Sequence, residues 1–203
     1  MKSIWQRTVQ TLSFLLFVFL VLQGKVQLWM AVFLVSTLLV LFFSRLYCGW
    51  LCPINSVLIP VSLLKKKLRV KNRKTPALVK KGSLRILMLL LFVALMLVTL
   101  KTGRKLPVLP ALVGVALLVS LFFEEALWHR WLCPYGAILS LPGRAAKHHM
   151  TIDSKRCTNC THCAKVCPSQ AIIKEEKHRI IKHECLVCHA CERVCTKDAI
   201  SYR

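Results

Sequence analysis

Residues 157 to 167 read CTNCTHCAKVC, and residues 185 to 195 read CLVCHACERVC. Both follow C-x2-C-x2-C-x3-C, and each cysteine of the first stands 28 positions before its counterpart, an offset that also lays Ala171 and Ile172 on Ala199 and Ile200. Three thiolates spaced by two residues wrap a tight loop around one 4Fe-4S cubane. The fourth, half a turn further on, points away and completes the neighbouring cubane. This crosswise logic assigns cluster I to Cys157, Cys160, Cys163 and Cys195, and cluster II to Cys185, Cys188, Cys191 and Cys167. Between the motifs, AIIKEEKHRIIK is predicted as a short β-hairpin with a charged tip. Zinc is disfavoured, because it takes paired CxxC knuckles rather than runs of four. CLVCH also matches a haem-attachment pattern, but it lies inside the second cubane motif. Histidines 162, 178, 183 and 189 are expected as solvated surface groups.

The stretch 151–203 resembles a bacterial two-cluster ferredoxin. Its departure from that pattern is Thr196, where the first copy has Pro168 after its last cysteine. Proline there shapes the loop and ligates nothing.

The remaining chain is of a different kind. Of 203 residues 56% are hydrophobic, and no Asp or Glu precedes Glu124. Four uncharged runs, 8–24, 26–44, 86–100 and 106–123, approach or meet the length a bilayer-crossing helix needs, about 17 to 25 residues. The third is short, and the stems of its flanking Arg85 and Lys101 can snorkel to extend it. The basic start and apolar centre of the first run suggest a signal peptide, but it has no small-x-small cleavage site and a second apolar run follows at once. Lys2 and Arg7 precede the first run, eleven cations lie from Arg45 to Arg85, and thirteen follow Glu124. Only Lys25, Lys101, Arg104 and Lys105 remain for the far side. This bias places both termini and the central loop in the cytoplasm. The fold class expected is therefore an α-helical membrane protein with four transmembrane helices, N-in and C-in, followed by a small α+β ferredoxin-like domain. The boundaries are 1–147 and 148–203. The net charge of +22 fits cations that orient helices against anionic headgroups. No aromatics interleave the basic run, so nucleic acid is not an expected partner.

YCGWLCP at 47 to 53 and WHRWLCP at 128 to 134 align over 81 positions, and the same shift lays the first hydrophobic hairpin on the second. The membrane part reads as a tandem hairpin repeat with two Cys-Pro elbows, and the symmetry of such repeats brings both elbows to one membrane face. Pro53 and Pro134 suit the first turn of a helix. Cys48, Cys52 and Cys133 with His129 are candidates for a third iron–sulfur or metal centre, His replacing Cys as it does in some clusters. The alternatives are a redox-active thiol pair, and buried cysteines that pack as small apolar groups and bind nothing.

With these elbows, four spans and a terminal two-cluster domain, the chain resembles the NapH/NosR/YccM type of membrane-bound polyferredoxin. That family carries two Cys-x3-Cys-Pro motifs. The first is intact at Cys48, Cys52 and Pro53, whereas the second keeps Cys133 and Pro134 but has His129 in the leading position. The resemblance implies electron transfer between a quinone pool or membrane redox partner and a reductase, at the cytoplasmic (inner) membrane. Glu124 and Glu125 are candidate proton acceptors for quinol oxidation, weighed against acids solvated at the headgroups. Nothing in the chain resembles a nucleophile–base pair, a phosphate loop or a flavin motif. Two other uses stay open: a metal-handling or maturation factor working through the membrane cysteines, and a membrane redox sensor.

Overall fold

The computed structural model describes residues 2–70, 72–76, 79, 82–102 and 108–203. Among the basic residues used above, Lys71, Lys80, Lys81, Arg104 and Lys105 lie outside the described residues, as do the first two positions of the fourth apolar run. By contact the chain divides into two compact units: Met1–Pro53 with Leu139–Arg203, and Ile54–Ile138. These units cut across the compositional boundary near residue 147.

The first unit opens with α1 (Lys2–Leu22) and α2 (Gln27–Phe43). An apolar segment satisfies its own backbone best as helix, and Gly24 ends α1 at φ 66°. There Lys25 N–H reaches back to the Leu20 carbonyl at 2.9 Å, the left-handed glycine cap of a helix. Each helix buries one stripe at 3–4-residue spacing: Gln6, Gln10, Ser13, Phe17 and Leu20 on α1, and Trp29, Phe33, Ser36 and Val40 on α2. Phe17 meets Trp29 edge to face at 5.4 Å, and Trp29 Nε1 donates to Tyr47 OH at 2.9 Å. The opposite faces are oily: Leu12, Leu38 and Leu39, among many, are exposed. Among the described residues one helix, Ile4–Leu22, is long and apolar enough to cross a membrane, while Gln27–Phe43, Ser83–Thr99 and Val108–Phe122 are apolar but shorter.

At Ser44 the chain breaks sharply, with φ 56° and ψ −157°, a region that side chains disfavour. It then forms the short α3 (Leu46–Trp50). The carboxyl-terminal part of this unit pairs β1 (Met150–Ile152) antiparallel with β4 (Ile200–Tyr202), Met150 opposite Tyr202. The expected hairpin forms as β2 (Ile172–Lys174) and β3 (His178–Ile180), Ile172 opposite Ile180. Two one-turn helices, α8 (His162–Lys165) and α9 (Ala190–Arg193), lie between. Met150, Ile172, Ile180, Val187 and Ile200 form their core around the buried cysteines.

The second unit holds most of α4 (Pro53–Lys67), α5 (Ser83–Thr102) and α6 (Val108–Phe122), a π-helical turn at Leu127–Leu132, and the start of α7 (Pro134–Ser140). Pro53 and Pro134 open α4 and α7, where a missing N–H costs nothing. Lys65 Nζ donates to the Ser120 carbonyl at 2.6 Å and to the Phe123 carbonyl at 3.3 Å, tying off the end of α6. Phe92 packs on Tyr135 at 5.0 Å between ring centres.

Candidate iron–sulfur site

The sequence repeat recurs as a repeat of backbone. Left-handed residues stand at Asn159 and Val187 (φ 57° and 52°), at Thr161 and His189 (66° and 55°), and at Gln170 and Asp198 (49° and 45°), each pair 28 positions apart. Such conformations cost a β-branched residue like Val187 most. They coil each cysteine loop tightly and turn amide groups toward sulfur. Ala171 N–H donates to Cys167 Sγ at 3.3 Å, and its counterpart Ala199 N–H to Cys195 Sγ at 3.4 Å. Val187 N–H donates to Cys185 Sγ at 3.4 Å.

One small cavity is lined by Cys157, Cys160, Cys163 and Cys195, and a second by Cys167, Cys185, Cys188 and Cys191. Each brings three cysteines of one motif together with the fourth of the other. The donor set suits an iron–sulfur core: four sulfurs and peptide donors, walled by Ile152 and Ile200 in one case and by Ile172 and Leu186 in the other. Burial, helped by neighbouring sulfurs, pushes the Cys185 thiol up to about 12 and Cys188 up to about 11, and it raises Cys191 as well. Crowded thiolates here need cationic iron, so ligation and proton release go together. Cys163 is raised by burial. Cys160 differs: it is exposed, and the backbone N–H and ring of His162 bring it down to about 7. The first cavity therefore has one solvent-facing cysteine, and the second has none so exposed.

The expectation that all four nearby histidines are solvated is corrected. His178 is 4% exposed, and its Nδ1 pairs with Oδ1 of Asn159 in the first cysteine loop at 2.9 Å. His189 Nδ1 lies 2.6 Å from Glu192 Oε2. His162 remains exposed.

Of the elbow residues, Cys48 and Cys52 belong to the first unit, His129 and Cys133 to the second, and all four are buried. The 81-residue repeat is visible in the backbone here too. Cys52 N–H donates to the Tyr47 carbonyl and Cys133 N–H to the Trp128 carbonyl, both at 2.9 Å across five residues. Wide turns of this kind occur often at functional positions. Gly136 N–H donates to Cys133 Sγ at 3.4 Å.

Glu124 Oε1 accepts from Thr75 N–H at 2.8 Å and from Thr75 Oγ1 at 2.6 Å, and so pins the central loop. Glu125 is half-buried. Burial raises its carboxyl above the usual range, against the opposing pull of Ser62, Lys66 and Lys65.

Sequence reasoning missed the seam between the first elbow and the cluster II loop. Gln6 Nε2 and Gln10 Nε2 both donate to the Gly49 carbonyl, at 3.1 and 2.8 Å. Trp50 Nε1 donates to the Val187 carbonyl at 3.1 Å. Ser44 Oγ donates to the Lys182 carbonyl at 3.0 Å. Arg45 forms a fully buried ion pair with Glu184 at 3.2 Å. One available signal was the pair of glutamines four apart, on one face of α1 in line with the apolar Phe17 and Leu20; polar groups on a buried face need partners.

A 4Fe-4S binding domain model matches residues 26–71, which include the first elbow, and 4Fe-4S dicluster domain models match 132–171 and 156–200. An uncharacterized protein of Methanocaldococcus jannaschii is 31% identical over 173 residues, 83% of this chain and 68% of that protein. The ferredoxin-type protein NapH of Haemophilus influenzae is 27% identical over 82% of this chain and 66% of its own length. The regulatory protein NosR of Pseudomonas aeruginosa is 30% identical over 76% of this chain, which spans 24% of that protein. No solved structure matches the chain.

Proposed function

The chain belongs to the NapH-like ferredoxin-type proteins, and on that premise we propose that it is a four-span membrane protein passing electrons between a quinone pool or membrane redox partner and a reductase. Two 4Fe-4S clusters, bound crosswise by Cys157, Cys160, Cys163 and Cys195 and by Cys167, Cys185, Cys188 and Cys191, would supply the one-electron chemistry. The observation that carries this reading is the pair of cavities, each lined by four cysteines drawn from both motifs. The protein's own part is to supply the thiolates, bury Cys185 and Cys191 in one cavity and leave Cys160 open at the other.

Membrane residence is supported by the oily outer faces of α1, α2, α5 and α6 and by the cation bias, which argues for cytoplasmic termini. A quinol donor needs a proton acceptor beside an electron acceptor, and the raised Glu125 carboxyl suits that role. Cys48, Cys52, Cys133 and His129 remain the proposed third centre.

Anaerobic isolation in detergent, iron and sulfide assay, and EPR during titration with a quinol analogue test the proposal. Clusters reduced by quinol are the expected result. Material free of iron and sulfide would defeat the whole reading, and loaded clusters that quinol leaves oxidised would defeat the quinol assignment.

A further inference from the structure

We propose that Arg45 is a positioning residue that locks the first Cys-Pro elbow onto the cluster II loop and, through its charge, sets the reduction potential of cluster II and not that of its duplicated counterpart, cluster I. The inference rests on the assignment of Cys167, Cys185, Cys188 and Cys191 as the ligands of one centre.

The geometry is specific. Arg45 follows the strained Ser44, and its side chain is 1% exposed. Nη1 lies 3.2 Å from Glu184 Oε2, on a carboxylate side chain 4% exposed, and 3.5 Å from the His183 carbonyl. Nη2 lies 3.8 Å from Cys48 Sγ. One guanidinium thus joins the leading elbow cysteine to the residues immediately before Cys185. Around it, the elbow follows the loop residue after residue, through Ser44 to Lys182, Gly49 against Leu186, and Trp50 to Val187.

A buried charge acts through a low dielectric, and its field on a neighbouring site is strong. A positive charge beside an anionic centre stabilises the more negative, reduced form, and Glu184 opposes it.

Among the described residues, the matching place in the first repeat holds a different pair. The counterpart of Glu184, 28 positions earlier, is Arg156, whose side chain is 66% exposed and 3.8 Å from Asp153. Water and salt screen a pair like that. The tuning is therefore confined to one of two otherwise duplicated loops.

The test is an EPR-monitored redox titration of the full chain in detergent, with iron and sulfide measured first on the unmodified protein. Iron short of two clusters at that stage means the ligand assignment has failed, separately from the claim about Arg45. With both clusters loaded, Arg45→Gln should lower one midpoint and Glu184→Gln should raise the same one. The expected shift in each case is about tenfold in the reduction equilibrium, or about 59 mV for a one-electron couple, with the other midpoint unchanged. Arg45→Lys, which keeps the charge, should return the midpoint most of the way. If Arg45→Gln fails to load, the Glu184→Gln and Arg45→Lys titrations decide. Midpoints that stay in place, or that move together in every loaded variant, would overturn the inference.

Discussion

Gly49 sits on the seam in the first unit with no room for a side chain. A β-carbon there would run into the Leu186 carbonyl group, backbone against backbone, with Val187 also close. Neither side can swing away as a flexible side chain would. Gly49→Ala is therefore expected to cost at least the about 1–3 kcal/mol of ordinary overpacking. A thermal melt of the loaded protein should show it as a drop of several degrees. Glu125 makes a prediction with a definite sign. Its carboxyl is raised by burial, so the folded state binds a proton more readily than the unfolded state does. The stability this lends is present at low pH and is lost as pH rises from the ordinary carboxylate range through the raised value. Glu125→Gln should therefore melt higher than the parent at pH 8. The gap should close as pH is lowered through that window, and a gap that widened instead would refute burial as the dominant influence.

At the scale of elements, the duplicated loops lend themselves to a ligand-swap experiment. Cys167 lies in the first motif but lines the cavity of the second, and Cys195 does the reverse. Cys167→Ala should therefore perturb the centre held by Cys185, Cys188 and Cys191, and Cys195→Ala the other. Each should lose about four of about eight irons and one of two EPR midpoints. The duplication of the two loops was legible in the sequence, because cysteine spacing within a loop is a local property and the 28-residue offset survives unaltered in the backbone. The hairpin β2–β3 was legible for the same reason. The elbow seam was not. Arg45 looks like one more orienting cation, and Glu184 like one more surface acid, until folding joins residues 139 positions apart. Nor was burial of His178 legible, since its partner Asn159 comes from the first cysteine loop, 19 positions away.

For the molecule as a whole, the open quantities are crossing number and iron content. Reporters fused at the carboxyl terminus and in the central basic loop should read cytoplasmic, and reporters in the α1–α2 turn near Lys25 should read external. A third cubane would raise iron from about eight to about twelve atoms per chain, and Cys48→Ser or Cys133→Ser should then return it to about eight. Because the last cysteine of each motif lines the cavity of the other, neither motif supplies four cysteines to one cavity unaided. An ancestral single copy would have needed to meet another molecule of itself. Fusing both copies on one strand makes that encounter intramolecular, so maturation of the paired cubes should proceed equally well however dilute the chain is in its membrane.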